Sequence, residues 1–354
     1  MDIIANELYS SFKAAHHLQK LQDLRDGKII LPVQIQVDLT NLCNHACRFC
    51  FYRGVNRNIV TNFNVKDVLP QKVAENLALE IDLLGIPAIQ ITGGGEPLMC
   101  SYIKEYLDFL NNNTKLELAL VTNGVLLTDE IIDKMYRFSW IRVSIDAATQ
   151  ETYIESQGGN YHDFDRVVNN VEKLVKRLVN TVIGVSFVVN PINYKEIVKA
   201  TILYKKLGVH NVRFSIAYTE EQTKIFIPIM DEIIALSREA RTYSDDNFRV
   251  FDLSYDHMVQ LEAKKVYKIC GYSHFTAAIE ANGIVRPCCT MKGLSHSNFG
   301  NIKEQSFKDI WFGEKRKKWL ERFDASKCLL CWMDQKNLFI EYLIKKKPLH
   351  VNFV

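Results

Sequence analysis

Cysteines are the residues of this 354-residue chain best able to do chemistry, and its nine are grouped. Cys43, Cys47 and Cys50 form a Cys-x3-Cys-x2-Cys run. Cys270, Cys288, Cys289, Cys328 and Cys331 form a second group near the other end, and Cys100 stands alone. In a reducing compartment such grouping argues for metal ligation or catalysis rather than disulfides. A structural zinc site closes with four ligands, whereas an iron–sulfur cubane also takes four but tolerates one iron left open. His45 is the nearest fourth ligand for zinc, but between two of the cysteines its reach is strained. Zinc also gives no reason for the glycine-rich segment downstream.

The second group pairs Cys270-x17-Cys288 with a closing Cys328-x2-Cys331. Free cysteines that merely pack as small hydrophobes are the bland alternative, but four thiolates ending in a Cys-x2-Cys pair favour a metal. Spacing alone does not separate zinc from iron–sulfur, and either Cys288 or its neighbour Cys289 can serve as the ligand.

The composition is that of a folded globular protein: 47% hydrophobic and 24% charged, with 44 basic against 41 acidic side chains. A formal charge of +3 is too small to imply nucleic acid. The longest apolar stretch, Val182 to Val189, is broken by Gly184 and Ser186 and falls far below the roughly 20 residues that cross a bilayer. The N-terminus lacks the basic-then-apolar order of a signal peptide, so the expected location is cytoplasmic, with no membrane and no nucleic-acid partner.

Elements must carry these residues. Val33 to Leu39 alternates apolar and polar residues as a strand does, which places Cys43 on the loop leaving it. Strand-like runs recur at Ala88 to Thr92, Leu116 to Thr122, Ile141 to Ile145, Ile183 to Val189 and Val212 to Ala217, separated by helical periodicity. Six strands alternating with helices predict a parallel sheet, doubly wound or curled into a barrel. Cys43 to Cys50, Gly93-Gly94-Gly95-Glu96-Pro97, Thr122-Asn123-Gly124, Ser144 with Asp146, and Asn190-Pro191 all fall at the C-terminal ends of strands, the edge where such sheets bind ligands. The alternation stops near residue 256. Phe275 to Val285 then reads as a hairpin turning at Asn282-Gly283, and residues 308–311 and 316–323 read as helical. The expected units are an N-terminal helical segment (1–30), an α/β domain (31–255) and a cysteine-bearing domain (256–354).

Cys43-Asn44-His45-Ala46-Cys47-Arg48-Phe49-Cys50 resembles the hallmark of the radical S-adenosylmethionine (SAM) superfamily, and the resemblance extends over about residues 31–220. It implies a partial (β/α)6 barrel and a [4Fe–4S] cluster held by Cys43, Cys47 and Cys50, whose open iron is chelated by SAM. Phe49 matches the aromatic position near the adenine. Gly93, Gly94, Gly95 and Glu96 look like the glycine-glycine-glutamate motif that meets the methionyl ammonium. Asn123, Ser144, Asp146 and Asn190 match later SAM-contacting segments, although an N-cap before Thr149 is an equal reading of Asp146. Many relatives carry an arginine shortly after this aspartate; here the stretch is Glu155-Ser156-Gln157-Gly158-Gly159, and Arg142 or Arg166 is a possible substitute. The C-terminal segments Gly283 to Cys288, Phe299 to Ile302, Phe307 to Trp311 and Cys328-x2-Cys331 resemble the superfamily's SPASM/twitch extensions. That implies a twitch-like α+β domain with one auxiliary [4Fe–4S] cluster on Cys270, Cys288, Cys328 and Cys331.

The resemblance further implies SAM cleavage to a 5′-deoxyadenosyl radical, hydrogen abstraction from substrate, and a flavodoxin- or ferredoxin-type reductant. Only about 30 residues precede the first strand, too few for a leader-binding domain. A small molecule (sugar, aminocyclitol or nucleotide-linked sugar) is therefore the expected substrate, with oxidation the expected outcome. Substrate candidates are Arg213, Ser215 and Tyr218 on the late strands and Tyr272 and His274 beside Cys270. Cys100 and Cys289 are candidate hydrogen donors should the reaction be a redox-neutral epimerisation. A peptide or protein maturase is the other enzymatic reading, and a non-catalytic zinc-binding interaction protein the reading from another class.

Overall fold

The computed structural model describes residues 8–53, 60, 62–217, 222–252, 265–328, 331 and 333–352. Nine strands form one sheet: β1 (Gln34–Asp38), β2 (Ala88–Thr92), β3 (Glu117–Thr122), β4 (Phe138–Ser144), β5 (Val182–Val189), β6 (Asn211–Ile216), β7 (Arg249–Asp252), β8 (Thr276–Ile279) and β9 (Val285–Arg286). Their order is β7-β6-β5-β4-β3-β2-β1-β8-β9. Each of β1 to β6 lies parallel beside its successor, β8 runs parallel to β1, and β9 turns back antiparallel. Sequential parallel pairing with helical crossovers and two unpaired edges is a partial barrel.

Alternation along the strands sorts the chemistry. Ile89 and Ile91 of β2, Ile141 and Val143 of β4, and Ile35 and Val37 of β1 are buried against the helices, whereas Gln34, Gln36, Gln90 and Ser144 face the concave side. Gln34 donates to Gln90 across that side at 2.6 Å, an early sign of a polar interior. Helix Asp163–Arg177 shows why the crossovers dock. Val167, Val171 and Leu174 fall on one face and are fully buried, each worth about 1.5–3 kcal/mol. Asp163 and Asp165 begin this helix and Lys176 and Arg177 end it, which suits its dipole.

The six anticipated strands are present, and the sheet is larger than six. Strand β7 is only four residues, Arg-Val-Phe-Asp, too short for a period to register. The anticipated hairpin turns at Gly283, whose φ of +90° suits glycine, but its first strand also pairs with β1 and so continues the barrel sheet. Near the N-terminus, the spacing of Leu8, Phe12, Ala15, Leu18 and Leu21 predicts one helical segment. The chain instead forms a 3₁₀ turn (Lys13–His16) and a helix (Leu18–Arg25), and of those five residues only Leu21 is buried. Leu21 packs with Ile30, Phe275 and Ile340, the last from a helix (Asp334–Ile344) that sequence periodicity did not reveal. No helix among the described residues is long and apolar enough to cross a membrane.

Candidate active site

The cysteine loop leaves β1 and is laced to its neighbours through backbone. Gly95 N donates to Thr40 O at 3.2 Å and Glu96 N to Leu42 O at 2.7 Å, so the glycine-rich loop lies directly on the start of the cysteine loop. A Cβ on Gly94 would sit 2.3 Å from Asn41 Oδ1, and one on Gly95 would sit 2.0 Å from Leu42 O. Only glycine permits that approach. On the other side Ala46 N and Arg48 N donate to Gln157 O and Ser156 O. His45 serves as a strut there: its Nε2 is 3.3 Å from the Tyr153 hydroxyl and 3.8 Å from the Asp163 carboxylate, and burial lowers its pKa.

Cys43, Cys47, Phe49 and Cys50 line one cavity of about 430 Å³ together with Gly93, Gly95, Glu96, Asn123, Ser144 and Asp146. Thus the C-terminal edges of β1 to β4 meet there. Burial raises the Cys43 thiol and raises Cys47 well above its ordinary value, with Asp146 and the other thiols adding repulsion. Such thiols ionise when a metal supplies positive charge. Among the described residues no three Cys, His, Asp or Glu groups close around a single ion. Three thiolates on one loop, each able to hold one iron, are the donor set of a cubane that keeps its fourth iron open.

Glu96 is buried, and its carboxylate accepts from Leu98 N (3.0 Å), Thr122 Oγ1 (2.6 Å) and Asn123 N (2.7 Å). Burial raises its pKa against those three donors. It therefore ties the ends of β2 and β3 together while facing the cavity. Asn123 donates to Asn44 Oδ1 at 2.7 Å, joining β3 to the cysteine loop.

Ser144 of β4 is 3.2 Å from Ser186 of β5, and Arg213 of β6 continues the same register row. Asp146 is no N-cap, because Thr149 caps that helix. Its carboxylate instead accepts from Val188 N at 2.5 Å, and burial raises its pKa to about 7. Gln157 accepts from Asp146 N and donates to Ser144 O, a neutral side chain in the stretch where relatives carry arginine. Neither suggested substitute faces the cavity: Arg142 stacks over Tyr9 and Trp140, and the exposed Arg166 pairs with the buried Asp163. Arg213 is the arginine on its wall.

Other expected residues lie elsewhere. Gly94 supports the loop without lining the cavity, and Asn190 is a buried turn residue whose Oδ1 accepts from Ile192 N. Cys100 is buried behind the wall, following a 3₁₀ turn, and cannot reach a substrate in the cavity. Ser215 lines the cavity; Tyr272 and His274 do not, and Tyr218 lies outside the described residues. Sequence reasoning missed Tyr52, Gln157 and Thr290, which do. Only Gln157 carried a signal, as the neutral residue in an arginine's stretch.

Cys270, Cys288, Cys289, Cys328 and Cys331 line a second, smaller cavity floored by Met291, Trp319 and Met333. Burial pushes the Cys270 thiol to about 11 and raises Cys288 well above its ordinary value. Cys331 is held low by the hydrogen bond from Cys328, which rises correspondingly. Five cysteines from three separate segments converge here, again fitting a cluster. Cys289 and Thr290 line both cavities, so this short segment is the partition between them.

The geometry and the comparisons agree on the class. A model of the radical SAM superfamily matches residues 37–204 and a model of an iron–sulfur cluster-binding domain, SPASM, matches residues 270–332. The chain belongs to the radical SAM superfamily and carries a SPASM domain, with [4Fe–4S] clusters and SAM as its cofactors. It is 29% identical over 180 residues to a Saccharolobus islandicus protein named "Probable GTP 3',8-cyclase", a match over 50% of this chain and 54% of that one. The chain thus spans about half the length of the cyclases it matches. It is 28% identical over 301 residues to the "AdoMet-dependent heme synthase" of Methanosarcina barkeri, covering 79% of this chain and 82% of that one. In fold it is similar to Streptococcus suis SuiB bound to SAM, with a TM-score of 0.66 at 18% identity over 95% of this chain and 79% of that one. It is also similar to anSMEcpe with bound AdoMet, with a TM-score of 0.61 at 16% identity over 88% of this chain and 93% of that one.

Proposed function

We propose that this enzyme removes hydrogen from a carbon of a small molecule and oxidises it by two electrons overall. Sugars, aminocyclitols and nucleotide-linked sugars are the substrate class. The observation that carries the reading is the partition: Cys289 and Thr290 line both the SAM cavity and the four-cysteine cavity, so a substrate in the first lies one residue layer from the second. The bound cofactors supply a 5′-deoxyadenosyl radical on one side of that layer and an electron acceptor on the other.

The chain's own part is to bind, orient and exclude water. Cys43, Cys47 and Cys50 hold the first cluster; Glu96 and the carbonyls of the Gly93-Gly94-Gly95 run face the ammonium of SAM; Ser144 and Asp146 face its ribose. Cys270, Cys288, Cys328 and Cys331 hold the second cluster, whose four protein ligands leave it no open iron. Oxidation also requires a proton to leave, and Asp146, pushed to about 7 by burial, is a carboxylate on the cavity wall able to take one. A flavodoxin- or ferredoxin-type protein is the reductant. The heme synthase and the cyclase that the chain resembles are named for a small-molecule product and a small-molecule substrate, which supports a small substrate here.

The test is anaerobic turnover with SAM and reductant in deuterium oxide against a panel of sugars, aminocyclitols and nucleotide-linked sugars. The expected result is 5′-deoxyadenosine above the substrate-free rate, with a product two mass units lighter and no solvent deuterium at the reacting carbon. Solvent deuterium at that carbon, lost in Cys289→Ala, marks an epimerase and overturns oxidation. Stimulation by a peptide alone overturns the substrate class.

A further inference from the structure

In the row of Ser144 and Ser186 and below it, the concave side of the barrel holds cations that have no carboxylate partner among the described residues. Arg213 lines the active-site cavity, and its Nε is buried with no hydrogen-bond partner. Arg142 lies one register step closer to the N-terminal ends of the strands, opposite Gly184, which itself sits opposite Asn211. Tyr9 is lodged between the two guanidinium groups, each 5.4 Å from its ring, and its hydroxyl donates to Asn211 at 3.3 Å. Gly184 makes the space, since a Cβ there would come 2.6 Å from the Asn211 Oδ1 that receives the tyrosine. From beneath, Lys336 enters a third cavity, of about 430 Å³, lined by Gln34, Gln90 and Trp140, with its ammonium 5.4 Å from the Tyr272 ring.

Among the described residues no carboxylate lies within ion-pair distance of Arg142, Arg213 or Lys336. Burial first, then Lys13 and the two arginines, weakens the hold of Lys336 on its proton, and burial with Arg142 nearby brings Arg213 down to about 10. The nearest acid to Arg213 is Asp146, already committed to Val188 N, and Glu117 on the lower cavity is exposed to solvent. An aromatic ring offsets part of the desolvation of two guanidinium groups, and a ring carries no net charge. A fold that gathers three such cations inside a barrel is built for a counter-charge brought by a ligand.

We propose that Arg213, with Arg142 behind the Tyr9 ring and Lys336 below adding their field, forms an anion-binding subsite on the cavity wall that takes a carboxylate or phosphate group of the substrate, so that the substrate is an anionic small molecule held from below while its reacting carbon faces SAM. This rests on the small-molecule reading above and narrows it: neutral sugars and cationic aminocyclitols are excluded as substrates, and phosphorylated, nucleotide-linked or carboxylate-bearing ones remain.

SAM also carries a carboxylate, so the test separates the two sources. Holoenzyme reconstituted anaerobically and saturated with SAM is titrated with inorganic phosphate and with malonate by calorimetry, and SAM affinity is measured separately by equilibrium dialysis. The expected result is one anion site per chain that weakens about tenfold or more in Arg213→Gln, is partly restored in Arg213→Lys, and also weakens in Arg142→Gln. SAM affinity is expected to move less than about twofold in the same variants. Absence of phosphate and malonate binding to the wild-type holoenzyme overturns the subsite. A parallel loss of SAM affinity assigns the arginines to the methionyl carboxylate and overturns it as well. Failure of the parent reading looks different: no 5′-deoxyadenosine is released from any small molecule, whether or not phosphate binds.

Discussion

Lys292, four residues past the Cys288 ligand position, donates to Asp38 at the end of β1 at 2.7 Å, and both side chains are buried. This ion pair joins positions 254 residues apart and clamps the cluster-binding segment to the strand that launches the first cysteine loop. Burial raises the pKa of Asp38 and Lys292 opposes it. Lys292→Met leaves an unpaired buried carboxylate and should destabilise the holoprotein by about 3–5 kcal/mol. In Asp38→Asn/Lys292→Met much of that loss should return. A denaturant series on the two singles and the double reads the coupling; additive losses would mean the pair is energetically idle.

Gly95 approaches the Leu42 carbonyl so closely that Gly95→Ala must push the glycine loop off the cysteine loop. SAM affinity should fall by about tenfold or more, and iron content in the first site should drop with it. Gly208→Ala is a useful control. Its positive φ makes it a strained position far from the site, so it should cost stability and leave SAM affinity alone.

Glu96→Gln keeps the shape of the side chain but removes its charge. Loss of a charge-assisted contact to an ammonium is worth about 1.5–3 kcal/mol, or about 10- to 100-fold in SAM affinity. Glu96→Ala should do worse, since Leu98 N, Thr122 and Asn123 N lose their acceptor too. Equal SAM affinity in wild type and Glu96→Gln would remove Glu96 from the ammonium contact.

His274 is half-buried near Arg316, its shielded Nδ1 without a hydrogen-bond partner, and desolvation followed by that positive charge lowers its pKa to about 4. Between about 4 and the ordinary 6.5 the unfolded chain holds a proton that the folded one does not, so stability is full above 6.5 and is lost as pH falls towards 4. The loss should be of order 3 kcal/mol, and His274→Gln should flatten it. A slope between pH 6.5 and 4 that survives this substitution would belong to other groups.

Much of this site was legible from residue order because thiolate spacing and strand ends are local properties. Cys43-x3-Cys47-x2-Cys50, the glycine run and Asp146 each follow a strand whose period is clear. What was not legible depends on distant packing. That β8 continues the sheet beside β1 follows from pairing with Gln34 to Val37, across some 240 residues, which no local pattern encodes. Cys100 reads like any other thiol until its burial behind the wall is seen, and His274, close to Cys270 in the chain, points into the interior instead. The convergence of Arg142 and Arg213 on Tyr9 depends on sheet register and on Gly184.

The most direct measurement is iron and sulfide per chain in anaerobically reconstituted protein. Wild type should hold about eight of each, since seven cysteine ligands and one open iron complete two cubanes. Cys43→Ala/Cys47→Ala/Cys50→Ala should keep about four and release no 5′-deoxyadenosine, and Cys328→Ala/Cys331→Ala should lose the other four. A triple variant that keeps all eight, or a wild type carrying zinc in place of iron, would contradict the account.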